Sequence, residues 1–348
     1  MKNFIRSPLL AASISLLLGL MGGSLAYLLI KIYLPPPSLG LPKVSTEKTI
    51  SSTILLPAES VLQKLSRQLV FIYTDKRKLD GDQEIWLPEN FLGYGALITN
   101  NGWLVTNADV KNAPNAWVTD WQNKSYAVKQ AVNDEVGGVN YLKIDMEKSE
   151  VVDFYEEIDK NLTQEFLFIA NGVNYLQPIK INELLATELV TKNGLSSIKN
   201  FSRWHQFTPS INANRLGLPV INAQGRVIGL VKDEQTILPS VYFTAHLNDV
   251  LQNQKINRPK INLDYYDLAL MPHNIVNDGV TLKYGALINL ASPSLPLKIG
   301  DVVTGLNNVN LSQEEDLTIK LQRFHSGDEV NLTVIRDEKV QNISFVLP

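Results

Sequence analysis

The sequence predicts a mainly β protein, in which an N-terminal apolar helix precedes a strand-rich body and a small α+β module. Three observations predict it. Short apolar runs recur between turn signals over residues 69–231, the pattern of many short antiparallel strands and not of strands alternating with long helices. Two of these runs pair across turn residues: residues 96–99 and 103–106 flank Asn100-Asn101-Gly102, and LPVINAQGRVIGLV over residues 218–231 repeats the strand–turn–strand form. From about Lys260 the pattern restarts, with strands on both sides of a short helical segment.

The amino terminus is read first. Lys2 and Arg6 precede an uncharged run over residues 8–30, long enough for the roughly 20 apolar residues that cross a bilayer. Basic residues before such a run favour a cytoplasmic start and an exported remainder. Ser24-Leu25-Ala26 would suit signal cleavage, but the apolar run continues to Ile30, which favours a retained anchor. The expected arrangement is a single membrane pass, with the bulk of the chain exported; the resemblance drawn below implies a bacterial inner membrane and a periplasmic body. Pro35-Pro36-Pro37 ends the helix and opens a Pro/Ser/Thr-rich tether. The domain boundaries follow: 1–34 for the start and anchor, 35–57 for the tether, 58–255 for the body and 256–348 for the module.

In the body, Val61, Leu62 and Leu65 at helical spacing predict a short helix over residues 58–67, then a strand over 69–73 and a polar loop over 76–90. After the first hairpin, strands are expected over 116–120, 126–131, 141–144, 166–170, 177–181 and 184–191, with a closing helix over 242–251. A polar linker over 253–259 leads into the module. There, strands are expected over 285–290, 331–336 and 340–347, and a helix over 314–324.

Composition narrows the chemistry. The 348 residues carry a formal net charge of −3, which gives no electrostatic footprint for nucleic acid. With no cysteine there is no disulfide, thiolate nucleophile or cysteine metal site. His205, His246, His273 and His325 are scattered along the chain, so neither a metal site nor a cofactor is expected.

GYGALITNNGWLVTNADV, over residues 93–110, resembles the segment around the catalytic histidine of HtrA-type serine proteases, the membrane-anchored DegS-like kind especially. INANRLGLPVINAQGRVIGLV resembles that family's nucleophile segment and the strand pair after it, and residues 292–340 resemble its C-terminal PDZ domain. The resemblance covers about residues 58–348 and implies a trypsin-like (chymotrypsin-like) double β-barrel followed by one PDZ domain.

Carried over residue by residue, the resemblance yields a degenerate triad. Such a triad needs a nucleophilic hydroxyl, an imidazole to take its proton and a carboxylate to orient the imidazole. The family's histidine falls on Asp109, its aspartate on Gly138 and its serine on Leu216. In the former oxyanion loop the shaping glycine falls on Asn214, followed by Arg215, while the glycine after the serine position is kept as Gly217. Asp109 is expected to cap a helical turn at Val110-Lys111. Ser210, and Ser202 near His205, match no family position and are expected to be structural.

The family's carboxylate-binding loop falls on Leu263, Asp264 and Tyr265, where an aspartate replaces a glycine and would repel a peptide's terminal carboxylate. Internal peptide segments or a partner protein remain candidates for strand addition there. The resulting expectation is a pseudoprotease that acts as a membrane-anchored binding scaffold or regulator in envelope protein quality control. As relatives trimerise through their protease domains, a homotrimer or a mixed trimer with active relatives is implied. The alternative is an active serine endopeptidase with a non-standard site, which requires a Ser/His/Asp cluster in the folded chain.

Overall fold

A computed structural model describes residues 57, 59–78, 84–110, 115–155, 162–163, 165–170, 175–186, 194–271, 275–277 and 280–348. The expected anchor, and the tether up to residue 56, lie outside these residues. Among the described residues no helix is long and apolar enough to cross a membrane.

The described chain opens with α1 (Glu59–Gln68), a short amphipathic helix that buries Leu65, and runs directly into β1 (Leu69–Tyr73). The loop expected over residues 76–90 contains a small two-stranded excursion, β2 (Arg77–Lys78) and β3 (Glu84–Ile85). β4 (Phe91–Leu97), β5 (Trp103–Thr106), β6 (Trp117–Thr119), β7 (Ser125–Asp134) and β8 (Val139–Ile144) follow. Together with β1 they close a six-stranded barrel in the order β1-β4-β5-β8-β7-β6. The first hairpin forms as expected: Ile98 N–H donates to Trp103 O at 2.8 Å, and Gly102 takes φ +93°. A Cβ on Gly102 would lie 2.4 Å from Ile144 O, so this glycine serves packing as well as the turn.

Next come β9 (Phe166–Ala170), β10 (Leu176–Ala186), β11 (Leu195–Ser197), β12 (Arg203–Thr208), β13 (Pro219–Ile221), β14 (Val227–Val231) and β15 (Thr236–Pro239). All but β11 close a second six-stranded barrel, in the order β10-β12-β15-β14-β13-β9. The two strands expected over 177–181 and 184–191 begin as one continuous strand, β10, with a register shift between Ile181 and Glu183. The expected closing helix is broken into α2 (Val241–Thr244) and α3 (Leu247–Asn253), with His246 at the break.

Alternation sorts the apolar residues into separate cores. Val70, Ile72, Leu97, Leu104, Val118, Leu142 and Ile144 fill the first barrel. Leu69, Ala96, Val105 and Tyr141, on the opposite faces of those strands, join Leu167, Ile169, Val220 and Leu230 in a core that continues into the second barrel.

The remaining strands are β16 (Leu263–Asp267), β17 (Ile275–Asn277), β18 (Val280–Leu282), β19 (Ala286–Ala291), β20 (Val302–Leu306), β21 (Val309–Asn310), β22 (Glu329–Arg336) and β23 (Lys339–Val346). The helix expected over 314–324 is the shorter α4 (Leu317–Leu321), started by Asp316, whose side chain accepts from Ile319 N–H at 2.8 Å. The sheet runs β11-β16-β19-β20-β22-β23, with β21 paired to β20. Thus β11, which lies in sequence between two strands of the second barrel, is the edge strand of the C-terminal sheet.

Candidate functional site

Asp109 follows the exit of β5, where side chains fix the backbone. Thr106 Oγ1 donates to Tyr94 O at 2.6 Å and accepts from Ala108 N–H at 3.0 Å, so the chain turns as it leaves the strand. Asn107 Nδ2 donates to Val231 O at 2.7 Å, which ties this exit to the second barrel. Asn140 Nδ2 donates to Ala108 O at 3.0 Å. Asp109 is left exposed, and with Gly138 it lines a cleft of about 480 Å³ shared with Asn133, Glu135 and Asn140. The backbone at Asp109 and Val110 is irregular, and the cap expected at Lys111 falls on residues outside the described ones.

Leu216 approaches the same seam from the second barrel. Its carbonyl accepts from Tyr94 N–H at 2.8 Å. Gly93 packs between the two loops: a Cβ there would lie 2.8 Å from Leu216 O and 3.0 Å from Ala108 Cβ. Gly217 donates its N–H to Val231 O at 3.0 Å and takes φ +83°. A Cβ on it would stand 2.0 Å from Tyr94 O, so this glycine is required by the barrel–barrel contact, independent of any catalysis. Gly217→Ala is expected to cost about 1–3 kcal/mol for the left-handed backbone, plus the clash. Gly300→Ala, at φ +91° with nothing within 4 Å of a Cβ, carries the backbone cost alone. Comparing their unfolding free energies checks the difference.

Arg215 donates to Gln177 Oε1 at 2.9 Å, and Asn214 is exposed. Gly138 takes φ +69°, and its turn carries two carboxylates that line the cleft, Glu135 and Asp134. The Asp134 carboxylate is buried and held bidentately by Arg258, Nε to Oδ1 at 2.8 Å and Nη2 to Oδ2 at 2.7 Å, so it is committed to an ion pair and not available to orient an imidazole. Ser210 is exposed; Ser202 is buried, and its Oγ has no hydrogen-bond partner. Among the described residues no serine hydroxyl is hydrogen-bonded to a histidine ring.

The histidines are less scattered than the sequence suggests. His246 and His325 stand with ring centroids 4.9 Å apart. Asp249 Oδ2 lies 3.0 Å from His246 Nδ1 and 3.1 Å from His325 Nε2. His246 Nε2 lies 2.8 Å from Gln322 O. Burial first, and then Arg258, hold the His246 pKa below its ordinary value, while Asp249 and the Gln322 carbonyl pull it up. One donor atom from each of His246, Asp249 and His325 falls within 4.8 Å of the others, a set with the chemistry of a metal ligand group. His246 and Asp249 lie three positions apart at the start of α3, and the fold brings His325, from the segment after α4, to them.

Comparison with known proteins shows what this chain is similar to. Residues 274–347 match the PDZ domain model. The chain is 26% identical over 162 residues to the serine protease Do-like HtrB of Bacillus subtilis, covering 41% of this chain and 35% of that protein. It is 22% identical over 275 residues to a probable periplasmic serine endoprotease, DegP-like, of Marinomonas sp., covering 74% of this chain and 56% of that one. The solved HtrA-type protease AlgW with tripeptide superposes with a TM-score of 0.57 at 14% identity, over 83% of this chain and 96% of that one. The same protease with decapeptide gives 0.55 at 16% identity, over 82% and 97%. The chain is HtrA-like, with a PDZ domain. It spans 35% of the length of the first of these curated relatives and 56% of the second.

In the HtrA-like chain, the residues expected to receive a peptide lie in β16. Leu263 and Tyr265 are buried, and the Tyr265 hydroxyl shares a hydrogen bond of 2.9 Å with Thr318 Oγ1 of α4. Asp264 is half-buried and points away from that core. One edge of β16 pairs with β19; the other is covered by β11, with Leu195 opposite Tyr266, Ser196 opposite Tyr265 and Ser197 opposite Asp264. Sequence reasoning missed β11. Its Leu-Ser-Ser is too short and polar to read as a strand, and its partner lies in the C-terminal sheet.

Proposed function

We propose that this HtrA-like chain is catalytically silent and binds polypeptide segments without cleaving them. Residues 8–30 tether it to a membrane, and its folded body lies on the extracytoplasmic side. One observation carries the reading: the loops bearing Asp109, Gly138 and Leu216 meet along one barrel–barrel seam, and none of these three residues supplies a hydroxyl or an imidazole. A triad acts as a unit, so losing nucleophile, base and orienter together removes far more than one substitution would. The relatives named as periplasmic support the extracytoplasmic side.

The purified full chain, treated with a fluorophosphonate probe beside an active trypsin-fold protease, is expected to remain unlabelled while the control reacts. A fluorophosphonate adduct mapped to any serine of this chain would overturn the reading and restore the endopeptidase.

A further inference from the structure

We propose that residues 195–198 are the PDZ domain's own ligand, a strand added in cis that closes the binding edge of β16 to peptides from outside. PDZ domains bind by strand addition to a sheet edge, and β11 makes that addition here. Beyond the three paired residues, Ile198 N–H donates to Leu263 O at 3.1 Å. Across from the strand, α4 holds the same segment: Thr318 Oγ1 donates to Ser197 O at 3.3 Å, and Gln322 Nε2 donates to Ile198 O at 2.8 Å. Main-chain groups of the segment are thus gripped by the strand on one side and by the helix on the other, as a bound peptide's would be.

Specificity is provided by an anchor and a lock. Ile198 is 0% exposed and belongs to the core formed by Ile261, Leu263, Tyr265, Leu317 and Leu321, so it fills an apolar pocket between strand and helix. Arg203, five positions on, is buried between Asp267 at the end of β16 and Asp316 at the start of α4. Its ion pair with Asp316 spans 3.4 Å. Asp267 and Asp316, both buried, therefore meet a guanidinium supplied by the second barrel, in a setting that a chain-terminal carboxylate would enter unfavourably.

The occupant is covalently attached. β11 is joined on both sides to the second barrel, through β10 and β12, so a competing peptide faces an internal strand at an effective concentration on the order of millimolar. An external partner gains the groove only when 195–198 lifts out, and its apparent affinity falls by the fraction of open molecules. The inference rests on the reading of this domain as a polypeptide-binding module; it does not depend on catalytic silence, which the fluorophosphonate experiment tests separately.

The probe is a fluorescein-labelled peptide of residues 193–202, Asn-Gly-Leu-Ser-Ser-Ile-Lys-Asn-Phe-Ser, followed by anisotropy against the full chain. Wild type is expected to show no saturable binding. Ile198→Asp, which puts a charge into the apolar pocket and expels the segment, is expected to bind the peptide at least about tenfold more tightly than wild type. The same peptide carrying Ile198→Asp should not bind. Equal binding to wild type and variant would overturn the proposal, as would a folded variant that ignores the peptide. Folding is checked by protection of the β22–β23 amides from exchange.

The docked state is tested without expelling anything. The chain has no cysteine, so Leu195→Cys with Tyr266→Cys gives a clean pair at directly opposed positions, within disulfide reach. Mild oxidation is expected to cross-link this pair in the full chain. If the thiols stay free under conditions that oxidise a control pair, β11 does not occupy the edge and the proposal fails.

Discussion

Arg203→Met is expected to destabilise the junction between the second barrel and the PDZ domain by about 3–5 kcal/mol, the cost of leaving buried charges without their partner. Arg203 is 1% exposed, and the two carboxylates it faces, Asp267 and Asp316, are also buried. Burial raises the Asp316 pKa, Arg203 lowers it and Asp267 raises it again; without Arg203 the two acids would repel each other in an apolar surrounding. Each acid has a second task, since Asp267 accepts from Ala269 N–H at 3.0 Å and Asp316 from Ile319 N–H at 2.8 Å. Asparagine keeps the acceptor and drops the charge. Adding Asp267→Asn and Asp316→Asn to Arg203→Met is therefore expected to recover most of the loss, a coupling that denaturant unfolding of the single, double and triple variants measures. Amide exchange should quicken over β11, β16 and α4 while β4 and β5 of the first barrel hold steady.

The same strand shows why only part of this fold was legible in the sequence. β12 reads Arg-Trp-His-Gln-Phe-Thr, and its inward row is Arg203, His205 and Phe207. Two of three core positions are polar, and each face carries one apolar residue, so hydrophobic alternation is lost and the strand goes unread. The hairpins were legible because local chemistry fixes them: Gly102 and Gly225 take φ +93° and +83°, and Asn222 Oδ1 accepts from both Gln224 N–H and Arg226 N–H. What the sequence hid is what long-range pairing makes, namely β11 on the PDZ edge, the Asp134–Arg258 clamp and the His246–Asp249–His325 group. The break at His246 was hidden for a related reason, since its imidazole is used by Gln322 and Asp249 and not by the continuing helix.

His205 gives the second large effect, on the pH axis. It is 6% exposed, and burial pushes its pKa down from 6.5 to about 4. With the folded value below the unfolded one, the unfolded chain takes up the proton first. Stability is therefore unaffected by this group above pH 6.5, falls as the pH drops from 6.5 to about 4, and levels off below, for a total of about 3 kcal/mol. His205→Gln is expected to remove that component from a series of unfolding free energies against pH. The difference in slope between the two proteins over this window is the measurement; an unchanged slope would mean that the ring is solvated. The result also bears on chemistry. A general base works with a pKa near the operating pH and with access to the proton it removes. An imidazole sealed in the second barrel, neutral down to about pH 4, is a packed side chain, and the Ser202 hydroxyl, three positions earlier in the sequence, is buried with no hydrogen-bond partner. A pKa of His205 near 7, titrating together with any residual hydrolysis, would instead make that pair the site to pursue.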